Sequence, residues 1–279
     1  MRKITERKVK AFEMHLIGEE KAPATVQKYV RDVRSFWLWL EKNSFEKNDV
    51  LRYKEYLCTK HAPSGVNAAL SSINSFFGFS EWFEMRVKCL RIQKTIFREP
   101  DKELTKEEYE RLLSVAKRKK DRRTYLLMQT LCSTGLRVSE LRYVTTQAVA
   151  TGVAEIFCKG KQRRVFLPVQ LCKLLVQYTK EKHIKSGPVF VTKHGNPLDR
   201  SNIWDSMKKL CKAAQVSEKK VFPHNLRHLF ACTYYEKQRD IVRLADLLGH
   251  SNVNTTRIYT METGEIHRRQ IQELGLLRC

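Results

Sequence analysis

LGHSNVNTTRIYT, residues 248–260, ends an apolar run in a Gly-His turn and sets a tyrosine nine positions after the histidine. Alone, Tyr259 reads as a core phenol, the ordinary fate of a tyrosine in a globular protein. What stands upstream decides its meaning. In HNLRH, residues 224–228, His224 and Arg227 lie three apart directly after Pro223, on one face of a helix start. In STGLRVSEL, residues 133–141, Gly135 stops one helix and Arg137 opens the next segment, where backbone N–H groups also point at an anion. Each fragment by itself also fits a plain structural reading, as surface charges on a helix or an Arg137–Glu140 pair. Between them VAEIFCKGKQRRVFLP, residues 153–168, has two strand-like runs around Lys-Gly-Lys, the pattern of a basic β-hairpin.

Charge points toward one class of partner. The 53 Lys plus Arg against 30 Asp plus Glu leave a formal +23, so an extended polyanion is expected. No apolar run reaches the ~18 residues a membrane span needs, and there is no secretory signal, so nucleic acid is favoured and no membrane is expected. The eight cysteines form no CxxC pair and read as reduced side chains of a cytoplasmic protein. His224 and His228, four apart, could grip a metal. No glutamate completes HExxH and no nearby cysteine or carboxylate pattern completes a site, so no metal is expected. A P-loop, a Rossmann glycine fingerprint and clustered carboxylates are likewise missing, which predicts a reaction without cofactor.

A chain of 279 residues favours two domains. Four amphipathic helical segments are predicted near 5–17, 24–42, 48–60 and 64–83, with Pro23 and Pro63 at helix starts. In the second, Val26, Tyr29, Val30, Val33, Phe36, Trp37 and Leu40 form one face and Lys28, Arg31 and Arg34 another, so one face packs and the other can meet phosphates. This predicts a helical DNA-binding domain over 1–85, a basic linker over 86–102 and a second domain over 103–279, with a last helix over 265–276. Helices in the second domain are expected near 123–132, 169–182, 200–214, 225–237, 241–248 and 265–274.

Taken in order, TGLRVSEL, a basic hairpin, HNLRH, LLGH and a tyrosine nine residues later resemble the tyrosine recombinase and integrase family, which includes Xer-type and phage-integrase enzymes. The match spans about residues 104–259. The N-terminal helices are similar to the family's core-binding domain in length, basic faces and the segment PSGVNAALSSINSFFGF. The resemblance implies a mainly α fold: a SAM-like four-helix core-binding domain, then an α+β catalytic domain with a small antiparallel β-hairpin sheet. It implies Tyr259 as nucleophile, with Arg137, His224, Arg227 and His250 around the scissile phosphate. Lys159 would be the general acid, with Lys161 as the alternative; Glu140 and His228 would support them, and Arg163 and Arg164 would add DNA contacts.

The chemistry suits those residue types. Attack on a phosphodiester adds charge to nonbridging oxygens that are already anionic, so a metal-free site needs fixed cations. Arginine forks hold such oxygens bidentately and stay protonated. A phenol near pKa 10 needs its proton accepted or its oxyanion stabilised, which neighbouring histidine and arginine can do. The leaving 5′ oxygen needs a proton, and a hairpin lysine can donate it. A phosphotyrosyl ester stores the energy of the broken bond, so a 5′ hydroxyl can rejoin it without nucleotide hydrolysis.

By the same resemblance the expected substrate is double-stranded DNA with a specific recombination site, cut and rejoined through a 3′-phosphotyrosyl intermediate. The expected assembly is a homotetramer on two duplexes that exchanges C-terminal helices, in the cytoplasm of a bacterium at its nucleoid. The expected task is integration and excision of a mobile element. A noncatalytic DNA-binding regulator of the same fold and a monomeric tyrosine topoisomerase are the alternatives. The chain begins directly with the core-binding helices, so no additional arm-binding domain is expected. Two departures from the family pattern stand out: RYVTTQAVA follows RVSEL with no acidic residue, and Leu229 stands where threonine is common.

Overall fold

The computed structural model describes residues 2–41, 44–92, 100–158, 161–260, 264–274 and 276. The chain divides into two compact units, 1–94 and 95–279.

Unit 1 holds four helices: α1 (Glu6–Gly18), α2 (Pro23–Leu40), α3 (Lys47–Lys60) and α4 (Pro63–Phe79). Their starts follow from local chemistry. Thr5 caps α1 through its side chain, Pro23 and Pro63 occupy first helical positions where a missing N–H costs least, and Glu46 and Asp49 close a capping box on α3. The apolar face predicted for α2 is buried at Val26, Val30, Val33, Phe36 and Leu40. Phe36 meets Phe45 edge-on at 5.5 Å, and Phe12 meets Phe76 edge-on at 5.3 Å, the geometry favoured by aromatic quadrupoles. The stretch read from sequence as the start of a linker is tied to this unit: Asn74 brackets the backbone of Val87, and Asn67 that of Leu90. Side-chain amides that satisfy an extended backbone leave no periodic trace in sequence. Of the rest of the expected linker, 93–99 fall outside the described residues and Pro100–Lys102 form a 3-10 turn.

Unit 2 is helical around one hairpin. α5 (Lys106–Arg118) starts at a Thr105–Glu108 capping box, and α6 (Arg122–Thr134) is capped by Asp121. A 3-10 turn (Val138–Tyr143), the short α7 (Thr146–Thr151), β1 (Val153–Cys158) and β2 (Lys161–Phe166) follow. The strands pair antiparallel, with Ile156 opposite Arg163 and Ala154 opposite Val165. Period-2 alternation buries Ala154, Ile156 and Val165 while Glu155, Phe157, Arg164 and Phe166 face out. Then come α8 (Val169–Glu181), α9 (Arg200–Ala214), α10 (Pro223–Gln238), α11 (Ile241–Leu248), two 3-10 turns (Val253–Thr255 and Arg257–Tyr259) and α12 (Gly264–Glu273). The main core of this unit is apolar and packs α6 against α10, α5, α8 and α9, while β1 of the hairpin packs on α7 and the Val138–Tyr143 turn.

Two glycines set the positions that matter most. Gly135 ends α6 at φ +64°, and a Cβ there would lie 2.5 Å from the Phe230 ring. Gly249 ends α11 at φ +65°, and its Cβ would lie 2.5 Å from Arg163 Cδ. Both need the left-handed conformation and the absent side chain. Gly152, at φ +74° with open space around it, isolates the backbone cost. Gly152→Ala should therefore cost about 1–2 kcal/mol of unfolding free energy, and Gly135→Ala about 1–3 kcal/mol more, measured by urea unfolding. Equal losses would show that the Phe230 contact carries no weight.

Candidate active site

A helix leaves its last carbonyls without intrahelical donors, at the negative end of its dipole. At the end of α11 three successive carbonyls are each met by a different arginine. Arg163 Nη1 donates to Leu247 O at 2.6 Å, Arg227 Nη2 to Leu248 O at 2.8 Å, and Arg137 Nη2 to Gly249 O at 3.4 Å. The three guanidiniums come from β2, from α10 and from the turn after α6. Arg227 also donates through Nη1 to Gly135 O at 2.6 Å, so it joins the ends of α6 and α11.

Glu140 is the counter-charge. Its carboxylate is only 2% exposed, and it accepts from Arg137 N at 2.8 Å, Arg137 Nη1 at 2.9 Å and Arg163 Nη2 at 2.6 Å. Burial works to raise its pKa, but the Arg137 backbone N–H and the Arg163 and Arg137 guanidiniums outweigh it and hold the carboxyl below the usual range. Arg227, itself buried, is lowered to about 10 by desolvation and by Arg137, and remains a cation at neutral pH.

His250 sits inside this cluster. Arg227 Nη2 lies 3.0 Å from His250 Nε2, and His250 Nδ1 lies 2.9 Å from Thr256 Oγ1. Guanidinium nitrogen can only donate, so Nε2 accepts and the proton sits on Nδ1, which donates to Thr256. The neutral ring agrees with a pKa brought down to about 4 by desolvation and then by Arg227, Arg137 and Arg163. Thr256 is fully buried and directly precedes the 3-10 turn that ends in Tyr259, whose backbone N–H donates to Thr256 O at 3.0 Å.

Tyr259 is 2% exposed and packs with Ala231, Cys232, Leu244 and Leu248. Its ring lies edge-on to His228 at 5.0 Å and near-parallel to His250 at 6.3 Å. Desolvation raises the phenol pKa above its ordinary value, while Arg227 pulls the other way. His228 in turn faces Glu103 at 3.6 Å. His224, one residue inside the α10 start, keeps contact with solvent. Partial desolvation, then Arg227, Arg137 and Arg200, hold its pKa below the ordinary value. A cavity of about 660 Å³ opens beside the cluster, lined by Arg137, Ser139, Gln162, His250 and Ser251 among others.

Tyr259, Arg137, Arg227, His224, His250, Glu140 and His228, scattered over more than a hundred residues, are thus brought together. Lys159, and the side chain of Lys161, lie outside the described residues. The basic residues expected on DNA differ in placement. Lys28 bonds Asp32 at 2.5 Å, Ala68 O and Ser72 Oγ; Arg34 pairs with Glu6 at 2.5 Å; Arg31 reaches Asp32 at 3.3 Å but is largely exposed. Arg164 is exposed and 3.5 Å from Glu155, whereas Arg163 is turned inward. The alternation of β2 is the signal that separates these two arginines, and Thr256 could have been found from its place three residues before the tyrosine. Among the described residues no group of three or more His, Cys, Asp or Glu could hold a metal, and no helix is long and apolar enough to cross a membrane.

The model of the phage integrase family matches residues 102–265, and that of the phage integrase N-terminal SAM-like domain matches residues 9–83. Tyrosine recombinase XerA of Thermococcus kodakarensis is 33% identical over 96% of this chain and 95% of its own length. Tyrosine recombinase XerD of Halalkalibacterium halodurans is 29% identical over 86% and 87%. Among solved structures, XerA recombinase aligns over 99% of this chain and all of its own, at TM-score 0.53 and 25% identity. A lambda integrase dimer bound to a COC′ core site shares the fold at TM-score 0.72 and 16% identity, over 92% of this chain and 77% of its own. The chain belongs to the phage integrase family, as a tyrosine recombinase.

The low pKa of His250 has a stability consequence. The unfolded ring takes up a proton below about 6.5, the folded ring only near 4. Its neutral form therefore contributes stability that is present above pH 6.5 and is lost as pH falls toward 4. NMR titration should place the His250 ring near 4 and, in Arg227→Gln, closer to 6.5. A wild-type ring titrating at 6.5 would contradict the bond to Arg227.

Proposed function

We propose that this chain is a site-specific recombinase that cuts and rejoins double-stranded DNA, with Tyr259 as nucleophile. Convergence of Tyr259 with Arg137, Arg227, His224 and His250, of which Arg137 and His250 line an open cavity, is the observation that carries the proposal. In the reaction Tyr259 Oη attacks phosphorus, the bond from phosphorus to the 5′ oxygen breaks, and a 3′-phosphotyrosyl ester remains. Arg137 and Arg227 hold the nonbridging oxygens where charge builds up. The phenol proton passes to a neighbouring imidazole, for which the unprotonated Nε2 of His250 is suited once the phosphate draws Arg227 away. Lys159, or Lys161, protonates the leaving oxygen. Glu140 and His228 orient the groups that touch the phosphate. Attack on the ester by the 5′ hydroxyl of a partner strand completes the exchange, with no metal or nucleotide consumed.

The DNA-bound lambda integrase with the same fold supports duplex DNA as the partner, and a lambda integrase tetramer bound to a Holliday junction supports a tetrameric assembly. Exposed Ile271, Leu274 and Leu276 at the chain's end suit a tail that docks on a neighbouring protomer. Arg31 and Arg164, both largely exposed, are the better candidates among the predicted basic residues for phosphate contacts. Integration and excision of a mobile element in the cytoplasm is the biological task we favour.

The test is a duplex selected by the chain from a randomised pool, nicked so that cleavage is trapped. Wild type should leave an SDS-resistant protein–DNA adduct. Tyr259→Phe should bind equally and leave none, and Arg137→Ala should slow adduct formation about 10²–10³-fold. Binding without an adduct would identify a DNA-binding regulator instead, and relaxation of supercoiled DNA lacking the selected site would identify a topoisomerase.

A further inference from the structure

We propose that Arg163 is a positioning residue for strand cleavage: without touching DNA, it fixes Glu140 and the end of α11 so that Arg137, Arg227 and His250 aim at one phosphate. The proposal rests on the recombinase reading and concerns the same site. In sequence Arg163 belongs to a basic run, KGKQRR, and looks like a phosphate contact. Strand alternation sends it the other way. It lies opposite buried Ile156, on the face shared with buried Val165, and its side chain is 16% exposed against 69% for Arg164.

Both ends of its fork are occupied by protein. Nη2 meets Glu140 Oε2 at 2.6 Å, the oxygen that also accepts the Arg137 backbone N–H, and this leaves Oε1 to hold Arg137 Nη1. Nη1 meets Leu247 O, two residues before the Gly249 turn and three before His250. Its stem fills the space where a Cβ on Gly249 would stand. Arg137 and Arg163 both line the cavity, Arg137 being the more exposed, and loss of Arg163 would leave a buried carboxylate with one cation fewer and a helix-end carbonyl without its donor, on both sides of Arg137. A lysine presents a single compact ammonium, so it restores the charge without spanning both acceptors as the planar fork does.

The experiment compares the full chain with Arg163→Gln and Arg163→Lys on the selected, nicked duplex, reading affinity at several salt concentrations and single-turnover adduct formation across pH. Arg163→Gln should keep its Kd within about twofold and keep its salt slope, while cleavage slows on the order of 100-fold, the scale expected for a small misplacement of reacting groups. The acid limb of its rate profile should move to higher pH. His250 is faced by Arg227, His224 and Tyr259, by Arg137 and Glu140, and by Arg163, and the variant removes one of the cations that keep the ring neutral. Arg163→Lys should keep the limb and recover part of the rate, a split that plain loss of fold would not produce. A fall in affinity with a salt slope reduced by about one would make Arg163 a DNA contact and overturn the proposal, as would cleavage at the wild-type rate. If Arg163→Gln does not fold, Arg163→Lys decides on the same readings: slowed cleavage at unchanged Kd supports the proposal, and any other result overturns it. Failure of wild type to form an adduct is seen before any variant is compared, and rejects the recombinase reading itself.

Discussion

Leu247, Leu248 and Gly249 offer three successive carbonyls at the end of α11, and Arg163, Arg227 and Arg137 each take one. Three guanidiniums repel one another, and nothing in their own chemistry would hold them together in a protein interior. The negative end of a helix and one buried carboxylate, Glu140, offset that repulsion. The helix has to stop where it does, which Gly249 permits by taking φ +65° with no side chain in the way of Arg163. α6 must also end within reach, which Gly135 permits, so that Arg227 can join both helix ends. Hydrophobic packing puts these elements side by side, and the carbonyl–arginine contacts turn the packing into a cationic site.

Charge states follow from that arrangement. Arg227 is a permanent donor to His250, so the ring stays neutral and donates a hydrogen bond through Nδ1–H to Thr256, which in turn heads the turn that carries Tyr259. The phenol is buried and its pKa is raised, so it is a protonated and weak nucleophile at rest. An entering phosphate supplies the anion that the cluster lacks. In the proposed reaction, drawing Arg227 toward that phosphate would release His250 Nε2 and stabilise a developing phenolate at the same moment, which would couple substrate binding to activation of Tyr259.

Much of this was legible in the sequence because it is periodic or punctuated. α9 and α11 begin and end where their apolar spacing and caps predicted, and Pro223 and Pro63 marked helix starts. HNLRH, TGLRVSEL and LGH could be singled out because phosphate chemistry restricts residue types, and the structure brings their arginines and histidines together. What escaped was side-chain destination. Lys28 sits on the polar face of α2 as expected, and its pair with Asp32 one turn on is local, yet its ammonium is also held by Ser72 and the Ala68 carbonyl, 44 and 40 residues away, which no local pattern encodes. Arg163 and Arg164 look alike in a basic run, and only the register of the hairpin assigns one to the interior. α7, six residues long, is too short to show a period.

Which atom becomes covalent with DNA decides whether Tyr259 is the nucleophile. Digesting the trapped adduct with nuclease and trypsin and sequencing the modified peptide by mass spectrometry would locate it. The account predicts a nucleotide joined through its 3′ phosphate to Tyr259, in the peptide that begins at Ile258. The same mass on any other residue, or a 5′ linkage, would contradict it.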